Sequence, residues 1–405
     1  MIPVADAVAR ITAAFSPLPA ETVPLAAAHG RVLAADVVAR ITQPPFAVSA
    51  MDGYAARAAD VADPPTTLRQ IGSVPAGARF EGTVGPGETV RIFTGAPVPD
   101  GADTIVIQEN TEADGDAITV RAGAPAGRYI RPAGLDFRAG EVGVPAGRRL
   151  DARAIGLAAA MNQPWLTVRR KPRIALLATG DEIVMPGEPL GANQIVSSNT
   201  HALRAVVDGC GGEAIDLGIA RDDPESLVRH AAGARGADLL VTTGGASVGE
   251  HDLIRDALKD EGLALDFWKI AMRPGKPLMF GTVGGTRLLG LPGNPVSSLV
   301  CALIFLRPAM ARMLGTDAGA HPMVQQASLG ADIGENDERE DYLRATLTRG
   351  ESGALIATPF AKQDSSMLSL LVKAQCLVIR PPHAPTAERG TAVDIIPLES
   401  GPPAL

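Results

Sequence analysis

Aromatic side chains are scarce in this 405-residue sequence: two Trp, three Tyr and nine Phe make up only 3% of it. Its cores must therefore be built from Ala, Val, Leu and Ile. Cysteine is rare as well. Cys210, Cys301 and Cys376 lie far apart and none belongs to a CxxC pair, which argues against a disulfide framework or a cysteine zinc site and fits unpaired thiols in a reducing cytosol. The histidines form no cluster, which argues further against zinc. Basic residues are in deficit, 37 against 45 acidic ones, for a net charge of −8. Nucleic-acid grooves depend on clustered Lys and Arg, so none is expected here, although a local anion site stays open. The longest apolar run, near 296–306, is too short to cross a membrane. Residues 1–15 carry Asp6 and Arg10 on a helical pattern and lack the features of a signal peptide. A cytoplasmic protein with no membrane segment is the expectation. No Walker A motif, GxSxG elbow, heptad, fixed-period repeat or low-complexity tract occurs. Without a nucleophile relay, the chemistry should rest on positioning, metal and electrostatics.

What is present is a long, turn-rich chain. Its length predicts two to four domains, and 44 glycines with 33 prolines predict many tight turns and short strands. Residues 3–15 read as a helix, followed by extended chain to the break at Gln43-Pro44-Pro45-Phe46. Residues 45–125 read as a small mainly-β domain, with strand signals at Ile71-Gly72-Ser73-Val74 and Glu88–Phe93. Residues 126–170, with a helix near 152–160, return to join residues 1–44 as a linker domain. Residues 171–316 alternate apolar strand runs with helices, which predicts a doubly wound parallel sheet covered on both faces. Residues 317–405 read as a C-terminal β-barrel-like domain. The fold class is thus multidomain, α/β plus β.

In an open parallel sheet, ligands bind beyond the carboxyl ends of the strands. Three polar, glycine-rich loops fall at such ends: Thr179-Gly180-Asp181-Glu182, the run from Thr242 through Gly244, Gly245, Ser247, Gly249, Glu250 and His251 to Asp252, and Pro292-Gly293-Asn294-Pro295-Val296-Ser297. Glycine admits a ligand close to the backbone, and helix N-termini offer free N–H groups to anions. Any one loop could be only a βα connection, but three together, all bearing hydroxyl or amide groups, point to an anion pocket. Asp181, Glu182, Glu250 and Asp252 should gather at its rim, where carboxylates beside phosphates usually hold Mg²⁺; the competing reading is that they cap the next helices. Lys269, Arg273 and Lys276 surround a Pro-Gly turn, either as a surface charge patch or as a clamp for a tetrahedral anion. Ser49-Ala50-Met51-Asp52-Gly53-Tyr54-Ala55 and Thr94-Gly95-Ala96-Pro97 read as structured turns.

Together with Arg91–Ala96, Arg131-Pro132-Ala133-Gly134-Leu135-Asp136, Pro274-Gly275-Lys276-Pro277 and Leu291–Ser297, these segments resemble the molybdopterin molybdenumtransferase family, which includes the E domain of gephyrin. The likeness runs through nearly the whole chain, in order and spacing. It implies four structural domains, an elongated homodimer with its cleft between subunits, and a reaction of adenylylated molybdopterin with molybdate and Mg²⁺ that yields molybdenum cofactor and AMP. A molybdopterin adenylyltransferase and molybdoenzymes or their chaperones are the implied partners. By the family pattern the third domain binds the pterin nucleotide and the partner's second domain closes over it. The resemblance assigns activity to Asp52 and Thr94, and to Glu182 and Asp252. It assigns Mg²⁺ to Glu182, Glu250 and Asp252, and the pterin nucleotide to the three loops with Asp136, Asp222, Lys269 and Arg273. Molybdate would be held by Lys276, Pro277, Ser297, Arg344 and Ser365. One departure stands out: Arg273 occupies a position where the family commonly has Lys. The rival readings are a pterin adenylyltransferase, a peptide-binding scaffold and a tungstate-specific enzyme.

Overall fold

A computed structural model describes residues 1–75, 77–244, 253–316, 323–351 and 353–398. The chain forms two compact units. One comprises residues 1–35, 146–152 and 167–405, the other residues 36–145 and 153–166.

The larger unit is organised around a six-stranded sheet. Its strand order is Glu213–Ala220, Arg173–Thr179, Leu239–Thr243, Thr286–Leu291, Pro277–Val283 and Ala264–Lys269. Successive residues of a strand face opposite sides. Ile174 and Leu176 therefore enter one core, while Ala175 and Leu177 enter another on the opposite face. The first core also takes Val4, Ala7 and Ile11 from the N-terminal helix Val4–Ala13. Three of the few aromatics meet there, with Phe280 at 5.8 Å from Phe267 and 6.5 Å from Phe15 between ring centroids. The helix Pro224–Ala231 begins as its residues dictate: Asp223 accepts the Ser226 N–H at 2.7 Å, and Pro224 sits in the first turn, where no N–H is needed.

The expected parallel sheet holds for its first four strands, and an antiparallel edge is added, because Pro277–Val283 runs against both of its neighbours. Between it and Thr286–Leu291 there is no crossover helix, only Gly284-Gly285, with φ of +53° and +85°. Positive φ at both central residues is the signature of a two-residue hairpin turn. The helical stretch Pro295–Leu314 contains the apolar run near 296–306 and continues it to Leu314. By length and composition it could cross a membrane, but 78% of its apolar window is buried inside this unit, as a core helix would be. A π turn at Ala302–Leu306 interrupts it just before Pro308, whose nitrogen cannot donate.

The C-terminal part closes into a barrel. Strands Gln325–Leu329, Glu340–Arg349, Leu355–Pro359, Cys376–Arg380 and Ala392–Pro397 form the ring, because Glu340–Arg349 pairs with both Leu355–Pro359 and Cys376–Arg380. Ala345, Ala357, Val378 and Ile395 fill its interior, while Tyr342, Leu377 and Ile396 join the main core. A short segment, Met272–Arg273, adds in parallel to the barrel strand at Glu340 and Asp341. The smaller unit has its own six-stranded sheet, ordered Thr104–Ile107, Gly53–Ala56, Glu88–Ile92, Thr66–Val74, Ala117–Val120 and Thr111–Asp114. Its core is aliphatic, with Val74, Val90, Ile92 and Ile105 at its centre.

Candidate active site

The chain runs from Arg173–Thr179 to the strand on one side, Glu213–Ala220, and then to the strand on the other, Leu239–Thr243. This reversal opens a crevice at the strand ends, where doubly wound folds bind ligands. A cavity of ≈ 680 Å³ lies there. Its polar wall is Thr179, Thr243, Gly244, Gly293 and Asn294, and Ile183, Ile195 and Val196 form an apolar side. The loops approach each other through glycine. Gly244 has φ +89°, and a Cβ there would stand 2.5 Å from the Thr179 carbonyl oxygen. Asn199 Nδ2 donates to the Gly293 carbonyl at 2.7 Å, tying the third loop to the helix Asn199–Gly209.

The acidic residues divide along the rim. Glu182 lines this cavity, while Gly180 and Asp181 line a neighbouring one of ≈ 760 Å³ with Arg221. The Asp222 N–H donates to Asp181 Oδ1 at 3.3 Å. Burial, and then the facing carboxylates Asp181 and Glu182, push the Asp222 carboxyl above its ordinary value. Among the described residues no three acidic, His or Cys groups converge closely enough to hold a metal ion unaided. Gly245, Ser247, Gly249, Glu250 and Asp252 lie outside the described residues.

The basic residues have different partners. Lys269 Nζ sits 4.4 Å from the centre of the Trp268 ring. Arg273 is engaged at the end of the barrel, where it pairs with Asp341 and Asp337 and donates to Asn336 Oδ1 at 3.1 Å. Neither residue lines the cavity. Pro277 does, and it brings the half-buried Lys276 beside the wall. The turn they belong to needs Gly275, whose φ is +126° and whose Cβ, were there one, would lie 2.5 Å from Cys301 Sγ.

At the start of the helix Pro295–Cys301, Asn294 makes no side-chain cap. Its Nδ2 donates instead to Ser365 Oγ at 2.8 Å, and the Val296 N–H donates to the Ser365 carbonyl at 3.1 Å. The barrel loop carrying Ser365 is thereby docked on the third sheet loop, and Ser366 enters the cavity wall. Ser297 is buried in the first turn of this helix. Arg344 lies beneath the loop, 1% exposed, with Nη2 donating to the Asp364 carbonyl at 3.2 Å and Nε without a partner. Burial pulls its pKa down.

In the smaller unit, Asp52 Oδ1 accepts both the Thr94 N–H at 2.7 Å and the Thr94 hydroxyl at 2.8 Å. These bonds, chiefly the backbone one, hold its carboxyl below the ordinary range, with help from Arg91. Arg91 is itself fixed against Tyr54, 4.9 Å from the ring centre, and Phe93, 5.0 Å. Asp136 lines a separate pocket of ≈ 450 Å³ with the exposed Phe46 and Leu135.

Residues 2–162 match the MoeA N-terminal region (domain I and II), residues 175–312 the probable molybdopterin binding domain, and residues 326–398 the MoeA C-terminal region (domain IV). A molybdopterin molybdenumtransferase of Nostoc is 37% identical over 81% of this chain and 77% of its own. One from Haemophilus influenzae is 32% identical over 94% and 95%, respectively. The chain belongs to the molybdopterin molybdenumtransferase family. A solved molybdopterin biosynthesis MoeA protein of Pyrococcus horikoshii, 31% identical, superposes with a TM-score of 0.84 over 99% of this chain and 100% of its own.

For this member of the molybdopterin molybdenumtransferase family, the structure adds residues that motif reading passed over. Asn199, Ile195, Val196 and Ser366 line the cavity or tie its loops. Ile195 and Val196 carry a signal in hindsight, as exposed apolar residues in a glycine-rich stretch. Gln363 carried none, because Arg344, which takes two of its bonds, lies 19 residues away on the strand Glu340–Arg349.

Proposed function

We propose that this protein is a molybdopterin molybdenumtransferase: it inserts molybdate into adenylylated molybdopterin and releases AMP. The observation that carries the reading is the docking of Ser365 on Asn294 and Val296, which joins the barrel loop to the pocket at the strand ends. Pro277 and Ser366, from different domains, thus line one cavity, with the oxyanion-holding candidates Lys276 next to the first and Ser365 bonded to Asn294 of the wall. A pterin nucleotide has flat rings and an anionic pyrophosphate. The Ile183, Ile195 and Val196 side suits the rings, and the Gly244 and Gly293 backbones suit the anion.

Molybdate is a tetrahedral dianion, matched by the Lys276 ammonium and the Ser365 hydroxyl, with the Arg344 charge behind the loop. Fixing it beside the dithiolene turns a bimolecular encounter into a local one. Insertion forms two Mo–S bonds while one molybdate oxygen leaves as water with the two thiol protons, and a second water cleaves the pyrophosphate, leaving AMP and the pterin phosphate. Mg²⁺ would supply charge neutralisation at that pyrophosphate. The donor set fits a cation that takes one or two carboxylates and completes its shell with water and phosphate oxygens. Asp181 and Glu182 both repel the Asp222 carboxylate, and such a cation would relieve that repulsion. The protein would work in the cytoplasm, a reading supported by its three unpaired thiols. It would act as a homodimer in which the smaller unit of one subunit, with its Asp52–Thr94 pair, completes the partner's cleft.

The test is AMP release from adenylylated molybdopterin with Mg²⁺ and either molybdate, tungstate or neither. Release should require the oxyanion, and Lys276→Ala should raise the half-saturating oxyanion concentration at least about tenfold, the loss of one charge-assisted contact. Mixing Asp52→Ala with Lys276→Ala protein should restore part of the rate if clefts are shared. Oxyanion-independent release would sink the insertion reading. No recovery on mixing, although subunits exchange, would sink the shared cleft.

A further inference from the structure

The barrel loop 360–366 carries Ser366 into the cavity wall and docks Ser365 on Asn294 of that wall, and one side chain that no motif indicated holds it there. Gln363 Oε1 accepts the Arg344 N–H at 3.0 Å, and Nε2 donates to the Arg344 and Phe360 carbonyls, both at 2.9 Å. The side-chain amide thus spans both backbone groups of Arg344, on strand Glu340–Arg349, and closes the loop on itself at Phe360. The Phe360 N–H adds a bond to the Arg344 carbonyl at 2.9 Å. From the strand face opposite the barrel interior, Arg344 Nη2 reaches the Asp364 carbonyl. Asp364 Oδ1 then takes the Ser366 N–H at 2.8 Å and hydroxyl at 2.6 Å. Between these two residues stands Ser365, its hydroxyl and carbonyl meeting Asn294 and Val296.

Only an amide side chain offers one acceptor and two donors in a plane. Glutamate at this position would keep the acceptor and lose both donors, and alanine would lose all three bonds. The loop has few other anchors between Phe360 and Asp364. The placement of the Ser365 hydroxyl therefore depends on a residue that does not line the cavity.

We propose that Gln363 is a positioning residue for the oxyanion: by clamping the loop to Arg344 it places Ser365 at the rim and sets oxyanion affinity without touching substrate. This rests on the reading of the cleft as an oxyanion site. The experiment measures AMP release against molybdate concentration for Gln363→Ala, Gln363→Glu, Ser365→Ala and Gln363→Ala/Ser365→Ala. Half-saturation by the pterin nucleotide and the urea midpoint are measured alongside. Gln363→Ala and Gln363→Glu should each raise half-saturating molybdate about tenfold, the loss of one or two net hydrogen bonds, and leave the pterin-nucleotide value alone. The double variant should be no worse than the poorer single one, because both act on one hydroxyl. Amide exchange at Val296, which is bonded to the Ser365 carbonyl, should speed up in Gln363→Glu. This last readout serves even if Gln363→Ala does not fold. Unchanged molybdate half-saturation, effects that multiply in the double variant, or unchanged Val296 exchange would overturn the role of Gln363 alone. Absence of any molybdate dependence in the unsubstituted protein would overturn the cleft reading and this proposal with it.

Discussion

Gly275 offers a test in which the damage and its repair can both be worked out from the structure. Its φ of +126° lies where non-glycine residues are strained, at about 1–3 kcal/mol. An alanine Cβ would also stand 2.5 Å from Cys301 Sγ and 3.3 Å from Met272 Sδ. Cys301 is fully buried in the helix Pro295–Cys301 and has no room to retreat. Crowding of this kind adds about 1–3 kcal/mol, so Gly275→Ala should cost roughly 2–6 kcal/mol in all. Cys301→Ala alone removes one sulfur from a packed site and should cost about 1 kcal/mol. In the double variant the crowding disappears and the dihedral cost stays. The two substitutions should therefore couple favourably by about 1–3 kcal/mol. Urea unfolding followed by Trp268 fluorescence, in a Trp165→Phe background, reads the unit that contains both sites. Strict additivity, or a Gly275→Ala protein as stable as its parent, would refute the claim that this turn is packed against the helix by its missing side chain.

Two further outcomes follow from the ion pairs and the Asp52 site. Arg273→Ala leaves the Asp341 carboxylate, 5% exposed, without its guanidinium partner, which should cost about 1–3 kcal/mol after allowance for the half-exposed arginine. Burial already raises the Asp341 pKa and Arg273 opposes that rise, so the deficit should shrink as acid protonates Asp341. Urea midpoints that fall equally at all pH values would contradict this. Thr94→Val removes the hydroxyl bond to Asp52 but keeps the larger backbone one, so the Asp52 pKa should rise part of the way to its ordinary value. A depressed carboxyl stabilises the fold above its unfolded pKa and loses that contribution as pH falls through the folded one. The Thr94→Val deficit should accordingly vanish in acid, and an NMR titration of Asp52 that does not move would count against the assignment.

Much of this architecture is legible without coordinates, for reasons that differ from one element to the next. Arg173–Thr179 and Leu239–Thr243 announce themselves because both faces of the sheet are covered, which makes their residues continuously apolar. Ala264–Lys269 hides because it mixes Asp266 and Lys269 with apolar residues at the sheet edge. The reversed strand was signalled by Gly284-Gly285, a hairpin dipeptide that the alternation of strands and helices overshadowed. The Asp52–Thr94 bond joins two motifs the sequence displays, but their pairing needs the register that sets Gly53 opposite Ile92. Barrel closure depends on Asp341 facing Arg380 across strands, and nothing local encodes it. Arg273 is the sharpest case: its residue type points to an anion clamp, and its surroundings commit it to two carboxylates of the barrel.

The N-terminal helix has a consequence for how the protein is made. Val4, Ala7 and Ile11 belong to a core completed by Phe280, Leu306 and Met313, and the Ile2 N–H pairs with the Lys269 carbonyl at 3.1 Å. On the ribosome this apolar stripe would wait for about 300 residues of later chain, roughly 15–60 s at common synthesis rates of about 5–20 residues per second. Meanwhile the smaller unit, complete once residue 166 has emerged, could already fold. The nascent protein would carry a finished domain preceded by an unburied helix, a form that the mature protein never shows.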